Sequence, residues 1–293
     1  MNDQFAVLER RISALSRQLV RLSTFVETSP GVRSIYVGEN TVLTVLADGR
    51  KMYVDSRDIS ISSRLMSRGI WEAANTREIR RLVGPGHCAI DIGANCGYFS
   101  VLFSSLVGAE GRVFAFEPNP LAYSLLVRSL EVNGFLQSGI ARTFSCALGD
   151  QSDTGRLAFK EGNTGGGSLY FTDSTILRDN LASIEVEIRR LDEVPIPRDR
   201  PTFIKIDAEG AEFLILKGAL RTLEDIDDVV ILLEFFPLMI EKHSPIDGYL
   251  DFLASFGFSF FRVNGQQLTM VSKAELLNVP NTYVFLARRD ISS

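Results

Sequence analysis

Between residues 88 and 235 the chain alternates short, almost wholly apolar runs with longer amphipathic ones, and no other feature narrows its possible folds so far. The apolar runs at 88–92, 112–116, 141–147, 202–206 and 229–235 read as strands buried on both faces. Helices are expected at 98–107, 120–133, 211–222 and 245–256. Strands that lack a polar face and are spaced by helices imply a parallel sheet covered on both sides. Two further runs, 259–263 and 282–287, are expected to pair antiparallel at one edge. The predicted architecture is α/β and doubly wound, a Rossmann-like, mostly parallel seven-stranded sheet with an antiparallel edge hairpin.

Two segments precede this unit. Phe5, Leu8, Ile12, Leu15, Leu19, Leu22 and Val26 recur at alternating spacings of three and four, the seam of a heptad repeat. Residues 1–29 thus form either a short coiled coil that makes a homodimer or an amphipathic helix folded back on its own domain. Residues 34–83 read as a small β/α cap, with strands at 34–37, 41–46 and 51–54 and a helical run at 61–82. Within it Asp48-Gly49 marks a hairpin. Residues 84–293 form the main domain. The segment 150–191 exceeds a simple crossover, and its Gly165-Gly166-Gly167 run reads as a loop able to close over a ligand, or as a surface excursion.

Composition excludes several classes of function. An apolar fraction of 45% supplies a large core, and a net charge of -5 argues against nucleic acid, whose phosphates demand a Lys/Arg surplus. The longest apolar stretch, 229–240, holds Glu234 and Pro237 and is too short to span a bilayer. With no apolar signal core near the start, a soluble, cytoplasmic protein is expected. Two histidines, His87 and His243, cannot build a His-rich metal cluster. Cys88, Cys96 and Cys146 lack C-x-x-C spacing and are expected as buried thiols.

In a doubly wound sheet, ligands bind beyond the carboxyl ends of the strands. Those ends carry Asp91-Ile-Gly93-Ala-Asn95-Cys-Gly97, Glu117-Pro-Asn-Pro120, Gly149-Asp150, Lys205-Ile-Asp207-Ala-Glu209-Gly210 and Glu234. Every end delivers a carboxylate. A dinucleotide pyrophosphate needs G-x-G-x-x-G and no nearby anions, whereas the glycines here read Gly93-x-x-x-Gly97. The pattern favours a cationic nucleoside cofactor, S-adenosyl-L-methionine (SAM). Asp91 would then hold its ammonium side, and the Gly93, Asn95 and Gly97 turn its methionine portion. Glu117 would take the ribose hydroxyls and Asp150 the adenine amino group.

These motifs, Asp91 to Ser100, Glu117 to Pro120 and Ile204 to Glu212, resemble those of FkbM-family methyltransferases. Gly69-Ile-Trp-Glu72, Asn163-Thr-Gly-Gly-Gly-Ser168 and Leu191-Asp192 are similar to secondary elements of that family. The resemblance implies a class I SAM-dependent fold and methylation of a hydroxyl on a sugar, polyketide or related metabolite, a small-molecule or glycan acceptor. An aliphatic hydroxyl gains from a positioned base or a metal. Asp207 or Glu209 is the candidate base, and the pair is also a candidate acceptor anchor. Trp71, Glu72, Tyr98, Ser168 and His243 are candidate acceptor contacts, with Trp71 and Tyr98 alternatively core residues and His243 alternatively an exposed loop residue. Lys205 reads as a buried partner for one of the acids or as a substrate contact. Asp207 and Glu234 offer oxygen ligands for Mg²⁺, without a diagnostic loop. The rival readings are a non-catalytic nucleoside-binding scaffold of the same fold and an NAD-dependent oxidoreductase.

Overall fold

The computed structural model describes residues 33–160, 166–169 and 173–292. The heptad segment at 1–29 and the first part of the glycine-rich run, 163–165, lie outside the described residues. Strands β1 (Ser34–Gly38), β2 (Thr41–Val45) and β3 (Lys51–Asp55) form an antiparallel sheet of their own. The expected helix at 61–82 is two helices, α1 (Ile61–Arg68) and α2 (Ala73–Leu82). Gly69 breaks it: its φ is +67°, and a Cβ there would lie 2.5 Å from the backbone nitrogen of Ala47. The turn that follows carries Trp71 and Glu72 out of helical register.

The main sheet has eight strands, not seven. Its order is β13 (Gln267–Val271), β12 (Ser259–Asn264), β14 (Thr282–Ala287), β11 (Val229–Phe235), β10 (Thr202–Ile206), β4 (Cys88–Ile92), β5 (Arg112–Phe116) and β6 (Ala141–Phe144). The extra strand, β13, folds back on β12 through a two-residue loop in which Gly265 takes a φ of +62°. From β4 to β6 the chain steps one way, and from β10 to β11 the other, so the strand order reverses between β4 and β10. The strand expected at 141–147 splits, because the chain leaves the main sheet after Phe144. Ala147–Leu148 (β7) joins β9 (Ala182–Arg189) and β8 (Asp153–Phe159) in a third sheet, so the long insertion carries strands of its own.

Period-two alternation divides the buried side chains into two cores. One face of the sheet presents Ala89, Val113, Phe203, Val230 and Phe285 to α3 (Tyr98–Val107), α4 (Pro120–Val132) and the cap. The other presents Ile90, Phe114, Ile204, Ile231 and Leu286 to α6 (Glu212–Lys217) and α9 (Ile246–Ser255), with α7 (Leu220–Asp225), α8 (Pro237–Ile240) and α10 (Lys273–Leu276) as shorter pieces, while α5 (Asp173–Arg178) falls between β8 and β9 in the insertion. Each large apolar side chain buried in this way contributes roughly 1.5–3 kcal/mol. The cap shares the first core and is tied to α4: the Tyr53 N–H donates to Ser129 Oγ at 3.0 Å, and the Asn133 amide bonds both backbone groups of Lys51. The three cysteines are free and buried, and burial pushes the Cys88 and Cys96 thiols up to about 12 and Cys146 to about 11. Among the described residues, no helix is long and apolar enough to cross a membrane.

Candidate active site

A cavity of about 380 Å³ opens at the carboxyl ends of β4, β5, β10 and β11, where the strand order reverses. That lies within the range of roughly 300–1,000 Å³ usual for small-ligand sites. Among the described residues, five acids line it, Glu72, Glu117, Asp207, Glu209 and Glu234, with one ammonium, Lys205. Apolar walls come from Phe99, Phe116, Leu148, Leu157 and Ile215.

The loop after β4 shapes one end. A Cβ on Gly93 would lie 1.8 Å from the Asp207 carbonyl oxygen, and one on Gly97 would meet Leu126 at 2.8 Å. Both glycines are therefore required by packing, and only Gly93 also lines the cavity. Asn95, at a φ of +51°, donates its N–H to Glu117 Oε2, and Asn119 donates to Oε1, both at 2.8 Å. Asn119 also caps α4 through its side chain, ahead of Pro120. These backbone donors fix the Glu117 carboxylate while leaving a lone pair on each oxygen. Burial nonetheless pushes Glu117 up to about 7.

Sheet register places Lys205 directly opposite Asp91. Lys205, 2% exposed, lies 3.7 Å from Asp91 and 3.2 Å from Asp207. Asp91 sits behind Lys205, fully buried, takes the Ser100 hydroxyl at 2.5 Å, and does not line the cavity. Burial opposes its charge more than an ammonium shared with Asp207 offsets, so Asp91 stays above the usual carboxylate range. For Lys205 the balance is reversed: burial opposes its charge, but Asp207, Asp91 and Glu72 outweigh it and raise its pKa.

The loop after β10 carries Asp207, Glu209 and Gly210. Glu209 takes a φ of +52°, uncommon for a non-glycine residue, and Gly210 follows at +102°. Glu212 braces this turn, accepting the N–H groups of Ala208 at 2.9 Å and Gly210 at 3.3 Å, while Ser168 Oγ donates to the Glu209 carbonyl. Burial and the neighbouring Asp207 push Glu209 up to about 7, and burial with Asp207 and Glu209 pushes Glu234 up to about 9.

Tyr283, on β14, has no place among the sequence candidates. Register sets it opposite Glu234, and its hydroxyl lies 2.8 Å from Glu72 Oε1 and 2.9 Å from Asp207 Oδ2. A tyrosine at the mouth of the strand beside β11 was the available signal. Trp71 and Tyr98 both line the cavity, and the Tyr98 hydroxyl bonds Thr76 at 3.2 Å. Ser168 supports the Glu209 backbone from behind the wall. Asp150 and His243 are not among the lining residues: Asp150 is exposed beyond the tight contact of Gly149 with Gly218, and His243 is half-buried past α8. Leu191-Asp192 is structural, since Asp192 accepts the Thr222 N–H and hydroxyl at the start of α7. Among the described residues, no three His, Cys, Asp or Glu side chains are placed to share a metal ion.

A doubly wound sheet with an acid-lined cavity at its reversal point defines a class I methyltransferase-type fold. The chain belongs to the FkbM methyltransferase domain family, which it matches over residues 91–260, more than half its length. It is 28% identical over 155 residues to Methyltransferase sdnD of Sordaria araneosa, covering 44% of this chain and 59% of that protein. It is 30% identical over 146 residues to Methyltransferase 1 of Beauveria bassiana, covering 44% and 57%. The matches thus span less than two thirds of each relative. Among solved structures it is similar to a SAM-dependent O-methyltransferase of Thermotoga maritima (12% identical, TM-score 0.41, covering 88% of this chain and 87% of that one).

Proposed function

We propose that this chain is a SAM-dependent methyltransferase acting on a hydroxyl of a sugar, polyketide or related metabolite. The observation that carries the reading is the cavity's acid-rich lining: among the described residues, five Asp and Glu side chains against one ammonium already engaged by Asp207 and by Asp91 behind it. Such a lining suits a sulfonium and opposes the pyrophosphate of NAD. The residues fit the cofactor: Glu117 is held by two backbone donors with a lone pair free on each oxygen, as a ribose diol requires. When bound, SAM supplies an electrophilic methyl group on a cationic sulfur.

In this reading Glu117 orients the ribose and the Gly93 turn bounds the methionine portion. Asp207, fixed by Lys205, accepts a hydrogen bond from the acceptor hydroxyl and aligns it, and alignment supplies much of the acceleration. Glu209 takes the hydroxyl proton and passes it to solvent, its raised pKa of about 7 suiting proton transfer near neutral pH. Trp71 and Tyr98 bound the acceptor's place. The heptad segment would assemble the chain as a homodimer, which light scattering on the full chain tests.

The test is calorimetric titration with SAM and, separately, NAD⁺, on the wild type and Glu117→Ala. Saturable SAM binding that weakens at least tenfold in the variant is expected. A folded protein that ignores SAM overturns the reading. Transfer of labelled methyl to a panel of hydroxylated acceptors then separates an enzyme from a binding scaffold.

A further inference from the structure

The Tyr283 hydroxyl lies at hydrogen-bond distance from two carboxylates at once, Glu72 Oε1 at 2.8 Å and Asp207 Oδ2 at 2.9 Å. A phenol has one proton to donate. With both acids ionised, one of these contacts would set lone pair against lone pair in a largely buried place. Both are satisfied only when one carboxyl group carries a proton and donates it to the tyrosine.

The surroundings decide which. Asp207 has Lys205 Nζ at 3.2 Å, on the very oxygen that faces Tyr283. Glu72 has no ion pair among the described residues; its other oxygen takes the Asn75 amide at 2.8 Å. The remaining charged groups around the trio are mostly acids: Glu234 on β11, Glu209 and Glu212 beyond β10, and Asp91 on β4 behind Lys205. Burial and Asp207 hold Glu72 above the usual carboxylate range, while burial and the flanking acids keep Tyr283 protonated. The backbone sets Glu72 in place at a φ of +41° at the start of α2, a conformation that holds only where its surroundings enforce it.

We propose that Tyr283 is a positioning residue: it donates its proton to Asp207 and accepts one from Glu72, which enters the site as a neutral carboxylic acid. This chain fixes the Asp207 carboxylate at the same oxygen that Lys205 holds and joins the cap to the sheet across the cavity mouth. It assigns Asp207 the task of holding the acceptor hydroxyl and leaves proton removal to Glu209. The inference deepens the methyltransferase reading and rests on it for that task, but the protonation pattern is measurable without any substrate.

The experiment is infrared difference spectroscopy of the full chain at neutral pH, comparing wild type with Glu72→Gln and with Tyr283→Phe. Circular dichroism confirms that each variant is folded. The expected result is that Glu72→Gln removes an absorption band of a protonated carboxylic acid, because glutamine replaces an acid that was already neutral. In Tyr283→Phe the same band is expected to persist and shift, having lost its acceptor. If Glu72→Gln removes only carboxylate absorption, Glu72 is ionised and the proposal is overturned. A Glu72 band unmoved in Tyr283→Phe overturns the hydrogen-bonded chain. Should either variant fail to fold, a pH titration of the wild type with ¹³C-labelled glutamate carboxyls reads the Glu72 protonation state directly. Failure of SAM to bind would remove the methyltransferase reading and leave these spectra unaffected.

Discussion

Replacing Lys205 by methionine keeps the bulk of the side chain and deletes the ammonium that Asp91 and Asp207 share. Asp91 is then a fully buried acid whose hydrogen bonds among the described residues come from Ser100 alone. Removing one partner of a buried ion pair costs roughly 3–5 kcal/mol. At about 2–4 °C per kcal/mol for a domain of ~150–250 residues, the melting temperature should fall by about 6–20 °C. The pH dependence makes the test sharper. Burial already raises Asp91 and Lys205 opposes that rise, so without the lysine Asp91 is held in the fold as the protonated acid. The unfolded chain loses that proton near pH 4. Above that pH the folded variant binds one more proton than the unfolded chain, so its stability falls as pH rises, by up to about 1.4 kcal/mol per unit. Thermal melts of wild type and variant at pH 5, 6, 7 and 8 should therefore show a deficit that widens toward high pH. A deficit below about 1 kcal/mol, or one that is constant or narrows with pH, would refute the assignment of Lys205 as the charge that makes Asp91 tolerable.

Other outcomes follow from the same geometry. Gly93→Ala should fail to fold or melt far below wild type, because its Cβ would lie 1.8 Å from a backbone oxygen at a φ of +73°; a wild-type melting curve contradicts the close approach of the two loops. SAM binding at pH 7 should release protons, since a cation favours the ionised forms of Glu117 and Glu209, both raised to about 7 by burial, and of Glu234, raised to about 9; titration in buffers of different ionisation enthalpy measures the number, and zero or net uptake counts against it. Asp150→Ala should change SAM affinity less than about twofold, a factor worth under ~0.5 kcal/mol, because the residue is exposed outside the cavity; a tenfold loss would return Asp150 to the cofactor site. With an acceptor in hand, Glu209→Gln should lower turnover about a hundredfold or more at saturating SAM, in line with the usual contribution of a general base, and an unchanged rate removes Glu209 from that role.

The parallel strands were legible because burial on both faces leaves unbroken apolar runs, and their ends led directly to Glu117, Asp207 and Glu209. What escaped depends on pairing between distant segments. Tyr283 reaches the site only because β14 runs antiparallel to β11 in the register that opposes it to Glu234, and nothing local to residues 282–287 specifies that register. The β12–β13 hairpin did carry a local sign, Asn264-Gly265, but the polar alternation of Gln267 to Val271 hid the second strand. Gly69 breaks a helix whose apolar periodicity continues across it, for a reason that lies in the Ala47 backbone. Asp150 shows the converse limit: a carboxylate can follow a strand in sequence and still point away from the ligand's side of the wall.

In folding terms, the contact of β14 with the cap makes the closed cavity mouth a late product, although pairing β14 with β11 closes a shorter loop (Val230 to Ala287) than pairing β4 with β10 (Cys88 to Thr202). The strand follows every other strand in sequence, yet it lies inside the sheet between β11 and β12, and its contact with Glu72 spans 211 residues. Contacts that close such long loops lose the most chain entropy and form after local ones. A folding intermediate with β4, β5, β10 and β11 already paired would still lack the wall that Tyr283 completes. A ligand for this cavity therefore has nothing whole to bind until the last strand is seated, and its binding energy stabilises the finished fold alone.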